Sequence, residues 1–288
     1  MGNTRDIKKR MKAVGNIKRI TRTMQMIATS KFARAQQASV ASRPYTESLF
    51  ELVAKLNAAG VGEGNPLLSQ PNPDAPELTL VISAERGLCG PYNGSILRTS
   101  LKQLRANPGS VLEVVGKKGA NALKFNGYTD FKALSGFGDK PQYEDVERIA
   151  RGYTQRFIDG EISAVRIVYM KYISAGKQIP TVLQLLPFAT PEIEADSDAS
   201  GFSDVYEFSP DPESLLNHLL PSAVKAVLFQ CFNDAIVSEH IARMVAMKAA
   251  TDNAGKMGNA LKRQFNRLRQ AQITTELTEI ISGAAALE

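Results

Sequence analysis

Two cysteines and two histidines are the residues from which nucleophilic or metal chemistry would have to be assembled in this chain. Cys89 stands in ERGLCGPYNG, between a strand-like stretch and a helix-like one, where a helix N-terminus could activate a thiolate. A nucleophile there needs a base, and both His218 and His240 fall far downstream in a helical segment. The two histidines are 22 residues apart, so they do not share adjacent turns as a zinc pair would. Cys89 and Cys231 form neither a CxxC knuckle nor a disulfide framework, and a reducing compartment suits them. Gly87, Gly90 and Gly94 could cradle an anion through backbone amides, or serve only a tight turn. GKKGANA lacks the GxxxxGK[ST] pattern, and no GxGxxG follows either early strand. The carboxylates do not pair for acid–base work. These residues assemble no catalytic site, and neither a cofactor nor a metal is expected.

Charge is the next signal. Residues 1–43 carry eleven Lys and Arg against one acid, Asp6, while residues 190–213 carry eight acids and no cation. Such asymmetry points to a large anionic partner for the basic end or, more plainly, to a solvated helix face. Nucleic acid is one such partner, yet Phe32 is the only aromatic residue before Tyr45 and the chain has no Trp for base stacking. A membrane surface fits less well, because the apolar stripe between the cations is narrow. No run approaches the roughly 18 to 20 apolar residues that cross a bilayer.

That stripe belongs to the elements that must position everything else. Ile7, Met11, Val14, Ile17, Ile20, Met24 and Ile27 recur in steps of three and four, which is helical periodicity. Asn3 or Thr4 can cap the helix, with Asp6 in its first turn, and GVGEGNP at residues 60–66 ends it. A helix of that length, at about 1.5 Å per residue, reaches roughly 80 Å and must pair with another. The other end offers the partner. Ser209 or Asp211 caps, Pro212 takes the first helical position, and Pro221 marks a possible kink. The stripe then runs Val224, Val227, Leu228, Cys231, Ile241, Met244, Ala254, Met257, Leu261, Phe265, Leu268, Ile273, Leu277, Ile280. Gly255 and Gly258 weaken that helix, each by about 1 kcal/mol against Ala. Two such helices bury their stripes most simply against each other, as an antiparallel, left-handed coiled coil.

Between them the rhythm changes. ELTLVISA and VLEVVG read as strands, each followed by a helical stretch, and an apolar stretch near Phe131 precedes the helical QYEDVERIARGYTQRFIDG. ISAVRIVYMKYIS and KQIPTVLQLLPF close the region as an antiparallel pair turning at Ala175-Gly176. Strands alternating with helices indicate a mainly parallel sheet with helical cover. The fold class expected is therefore α/β: a long antiparallel coiled coil of N- and C-terminal helices (residues 1–60 and 209–288) with an inserted α/β, Rossmann-like domain (residues 77–190).

Specific blocks carry a resemblance as well. ITTELTEIISGAA (Ile273–Ala285) resembles the C-terminal signature of the gamma subunit of F-type ATP synthases. SEHIARMVAMKAATDNA (Ser238–Ala254), IKRITRTMQMIATSKF (Ile17–Phe32), ASRPY (Ala41–Tyr45) and RGLCGPYN are similar to further blocks of that family, in the same order. The resemblance covers nearly the whole chain. It implies a non-catalytic rotor shaft, turning inside a ring of alpha and beta subunits and resting with epsilon on a c-subunit ring. ATP chemistry then belongs to the partners, no nucleic acid is involved, and the membrane is met only through those partners. Its implied place is peripheral, at the cytoplasmic face of the bacterial plasma membrane.

Carried over position by position, Met24, Arg269, Gln270, Thr274 and Glu276 match rotor–stator contacts. Ile280, Ile281, Gly283 and Ala284 match a bearing tip, where small and apolar side chains with few fixed hydrogen bonds suit rotation in a protein sleeve. Tyr206 and Glu207, in DVYEFSPDP, match a foot contact. The inserted cysteine pair of plant-chloroplast members is absent from this sequence, so the resemblance implies no thiol switch of that kind. Two other readings stay open on the residues alone. A basic coiled coil that binds nucleic acid would show strong salt-dependent DNA binding. An α/β enzyme would bind a small molecule on residues 77–190 alone.

Overall fold

The computed structural model describes residues 4–58, 64–69, 72–138, 141–188 and 211–285. The elements run α1 (Thr4–Ala58), β1 (Leu78–Ile82), α2 (Tyr92–Ala106), β2 (Val111–Val115), α3 (Lys117–Phe125), β3 (Lys132–Leu134), α4 (Tyr143–Ile158), β4 (Val165–Ser174), β5 (Lys177–Leu186) and α5 (Pro212–Ala285). They divide into two compact units, Met1–Thr29 with Arg243–Glu288, and Ser30–Ala242. The proposed caps Asn3 and Ser209 lie outside the described residues. Asp211 caps α5: its carboxylate accepts the Ser214 N–H at 2.8 Å, ahead of Pro212 at the first helical position. Both long helices continue through their prolines, Pro44 and Pro221.

The larger unit is built on a five-stranded sheet in the order β3-β2-β1-β4-β5. Every pair is parallel except β4–β5, as the βαβ rhythm and the Ala175-Gly176 turn require. LTLVI of β1 is buried throughout, the pattern of a strand covered on both faces. On one face α2 and α3 enclose Val81, Ile96, Leu104, Val114, Leu123 and Val168. On the other, Leu80, Ile82 and Ile167 meet Val146 and Phe157 of α4, Val53 and Leu56 of α1, and Leu220, Val224 and Phe232 of α5. α5 contains an 18-residue window of mean hydropathy 1.3, long and apolar enough to cross a bilayer, contrary to the reading that no run came near that length. Half of the window is buried inside the fold, so its apolar character has a protein partner.

The smaller unit is an antiparallel helical pair. On α1 the buried positions are Ile7, Val14, Thr21 and Ala28, seven residues apart, with Met11 and Gln25 half-buried between them. On α5 Met247, Thr251 and Ala254 are buried, and Gly258, Leu261, Phe265 and Leu268 are half-buried, again in steps of three and four. Thr251 Oγ1 lies 2.8 Å from Thr21 Oγ1, Gly258 faces Val14, and Thr4 Oγ1 donates to Gln272 Oε1 at 3.0 Å. Rising numbers on one helix meet falling numbers on the other. This is the packing expected of a coiled-coil seam.

The seam itself corrects the sequence reading. Ile7, Met11 and Val14 lie on it, but Ile17, Ile20 and Ile27 are 52%, 58% and 52% exposed, and Met24 is only half-buried. α1 carries two overlapping stripes, and α5 covers the one through the smaller side chains Thr21 and Ala28. On α5 the expected stripe fails at Met257, Ile273, Leu277 and Ile280, all of which are exposed. Beyond Gln272 there is no described residue of α1 left to cover Ile273, Leu277 and Ile280, whereas Met257 lies within the paired stretch and faces away from it.

Candidate functional site

The bare end of α5 is the most exposed helical stretch of the smaller unit. Every residue from Arg269 to Ala284 is exposed, including Ile273, Leu277, Ile280 and Ile281, the last two at 73% and 59%. Isolated surface apolar residues are ordinary, but four on sixteen residues of one exposed helical stretch make a surface that suits a protein partner. The polar side chains between them are satisfied locally. Thr274, Thr275 and Thr278 donate their hydroxyls to the carbonyls of Gln270, Ala271 and Thr274 at 2.8–3.0 Å, and Gln272 Nε2 donates to Glu276 Oε1 at 2.9 Å. Bonds turned back onto the helix leave few oriented groups to grip a neighbour. Ile280, Ile281, Gly283 and Ala284 lie on this exposed segment, preceded on it by Arg269, Gln270, Thr274 and Glu276.

Met24 belongs to a different level. It borders a groove of about 430 Å³ with Asn16, Arg19, Ile20 and Thr23, in which Arg19 Nη2 donates to Asn16 Oδ1 at 2.7 Å. Thr4 pairs with Gln272, and Met24 is about 30 Å further along α1 at about 1.5 Å per residue. The structure thus brings Arg269, Gln270, Thr274 and Glu276 together and keeps Met24 apart from them. A wider groove of about 850 Å³ lies across the pair, where Lys18, Arg22, Lys248 and Lys256 surround a single acid, Asp252. Sequence counting found the cations of α1 but not those of α5, which only the antiparallel register brings alongside. Tyr206 and Glu207 lie outside the described residues.

The residues first weighed for chemistry take structural places. Cys89 is buried, and Asn93 Nδ2 donates to its sulfur at 3.2 Å. Burial, and then the neighbouring Asp234 charge, push the Cys231 thiol well above its ordinary range. His218 is exposed and His240 buried, both on α5. Gly116 has φ +93°, and the carbonyl and hydroxyl of Ser83 fill the space a Cβ would need. The same hydroxyl accepts the Gly119 N–H at 2.9 Å and donates to Val115 O at 2.8 Å. The glycines of GKKGANA thus serve close packing between β1, β2 and α3.

A family model described as ATP synthase matches residues 3–287. The ATP synthase gamma chain of Rhodopirellula baltica is 44% identical over the full length of both chains. The chain belongs to the ATP synthase gamma family. The gamma chain of Desulforudis audaxviator is 39% identical over 99% of each chain, and that of Haemophilus influenzae (strain PittEE) 36% identical over the whole of both. Among solved structures, a chain of the Euglena gracilis mitochondrial ATP synthase (OSCP/F1/c-ring, rotational state 3) superposes with a TM-score of 0.68 at 17% identity, covering 99% of this chain and 94% of that one. A chain of the Tetrahymena thermophila central stalk and c-ring gives 0.57 at 20% identity, over 80% and 99%. Membership of the gamma family makes this chain a non-catalytic shaft, the torque-transmitting central stalk of a membrane-associated ATP synthase.

Proposed function

We propose that the chain turns inside a collar of alpha and beta subunits, with Ile280, Ile281, Gly283 and Ala284 as its bearing tip. Arg269, Gln270, Thr274 and Glu276 make the rotor–stator contacts just below the tip, and Met24 makes another at a lower level. Residues 1–60 and 209–288 act as the shaft. The domain of residues 77–190, with Tyr206 and Glu207, acts as the foot that meets epsilon and the c-subunit ring. The assembly sits peripherally at the cytoplasmic face of a bacterial plasma membrane, which the chain meets through its partners alone.

One observation supports this reading above the others: among the described residues, α5 outruns α1 at Gln272 and continues with its isoleucines exposed. At roughly 25 cal/mol per Å² of apolar surface, such a tail is costly in water and gains from an enclosing sleeve. The basic surface suits acidic segments on a partner. Exposed ion pairs are worth about 0–1 kcal/mol each, weak enough to break and re-form at every step. Bonds of several kcal/mol would hold the rotor at one angle.

The test is Ile280→Asp combined with Ile281→Asp in the chain co-expressed with its alpha and beta subunits. The variant should lose assembly or coupled turnover while the sheet unit keeps the unchanged chain's melting transition. Assembly and coupling equal to the unchanged chain would overturn the bearing role.

A further inference from the structure

Inside the larger unit, one carboxylate joins three elements that hydrophobic packing alone would leave free to slide. Asp234 of α5 is 4% exposed. Its Oδ1 accepts from Ser39 Oγ of α1 at 3.0 Å and from Gln230 Nε2, one turn back on α5, at 2.8 Å. Arg43 Nη2 of α1 stands 4.0 Å away, and the backbone of Tyr172 on β4 faces the same carboxylate. The surrounding groups repeat the pattern. Gln230 Nε2 also donates to Ser39 Oγ at 3.0 Å, Ser42 Oγ donates to Gln230 Oε1 at 2.7 Å, and Arg43 Nη2 reaches the Tyr172 carbonyl at 3.4 Å.

Tyr172 explains why polar partners are needed there. β1 pairs with β4 only as far as Val81↔Val168, so at Tyr172 the strand has run past its parallel neighbour and keeps only β5, through Gln178, beside it. Backbone polar groups on the open side need partners outside the sheet. Asp234 holds Ser39 and stands beside Arg43, which reaches the Tyr172 carbonyl, so one turn of α5 is tied to α1 and, through Arg43, to one residue of β4. An apolar seam tolerates slippage, whereas a buried polar group fixes register at some cost in stability.

We propose that Asp234 is the anchor by which the sheet holds α1 and α5 in fixed register, so that torque passes between sheet and helices without slip. It is a positioning residue, and the proposal rests on the torque-transmitting reading given above.

Two measurements on Asp234→Ala and Asp234→Asn test it. In the full chain, the Tyr172 amide should exchange about tenfold faster in Asp234→Ala, as local opening of β4 from the helices becomes easier. In the complete complex reconstituted in vesicles, ions pumped per ATP hydrolysed should fall about twofold or more, the scale of a broken coupling contact. Hydrolysis by the membrane-free complex should hold. Asp234→Asn keeps the oxygen that faces Ser39 and Gln230 and should recover part of the pumping ratio. Unchanged exchange and an unchanged pumping ratio in Asp234→Ala would overturn the anchor. If that variant does not fold, Ser39→Ala with Gln230→Ala removes the two side-chain donors, and an unchanged pumping ratio there overturns it equally. Should the unchanged chain support no ATP-driven pumping at all, the torque reading fails, while the exchange measurement still decides whether the carboxylate holds β4.

Discussion

A buried carboxylate on a helix is the residue at which this sequence is hardest to read. FNDAIVSEH offers Asp234 beside Asn233, two polar residues that look like a solvated face. The structure buries both, because Ser39, Ser42, Arg43 and Gln230 wait on the facing helix and on the turn before. Cys89 and the glycines drew attention in the sequence for the opposite reason: their types suggest chemistry, yet their environments are packing. Burial raises the Asp234 pKa above its ordinary value and outweighs the opposing bonds from Ser39 and Gln230 and the Arg43 charge. The folded chain therefore binds this proton more tightly than the unfolded chain does. The stabilisation from that proton is fully present below the unfolded pKa and is lost as pH rises through the raised, folded value. Asp234→Asn should remove this contribution, so that urea midpoints of variant and unchanged chain diverge across that window. Parallel curves from acid to neutral pH would show that Asp234 does not titrate this way.

At the scale of elements, both long helices, the mainly parallel sheet and the antiparallel last hairpin follow from periodicity and turn residues, while the strand order does not. The seam between the helices does not. Ile17, Ile20, Met24 and Ile27 outrank Thr21 and Ala28 in hydrophobicity, and a periodicity argument assigns the stronger stripe to the nearest partner. Sequence spacing cannot say which partner covers which stripe, and here α5 takes the weaker one. Its most telling contact is the pair Thr21 and Thr251, hydroxyls 2.8 Å apart and both buried. Met247 O lies 2.8 Å from Thr251 Oγ1 and Ile17 O 3.0 Å from Thr21 Oγ1, so Thr21 can donate to its own helix while it accepts from Thr251. Thr251→Val alone should cost about 1 kcal/mol by removing one partner of a buried bond. The double change with Thr21→Val should cost less than the two single changes together, since neither hydroxyl is then left without the other. Denaturant titration of the four proteins measures the coupling, and strict additivity would show that the two threonines ignore each other.

At the scale of the whole molecule, function was legible in the sequence through ordered blocks of residues, above all ITTELTEIISGAA. The physical reason for that block appears only once the pairing is seen to stop at Gln272. An apolar helical segment that no other described residue covers is the kind of surface an assembly partner encloses. The same holds for the exposed isoleucines of α1 and the cationic groove bordered by Lys18, Arg22, Lys248 and Lys256.

The measurement that bears most directly on the shaft is co-expression with cognate alpha and beta subunits, followed by size-exclusion chromatography and an ATPase assay. The account predicts a complex with one copy of this chain to three alpha–beta pairs, and ATPase activity that depends on its presence. A chain that elutes alone and leaves the ATPase of the alpha and beta subunits unchanged would contradict it.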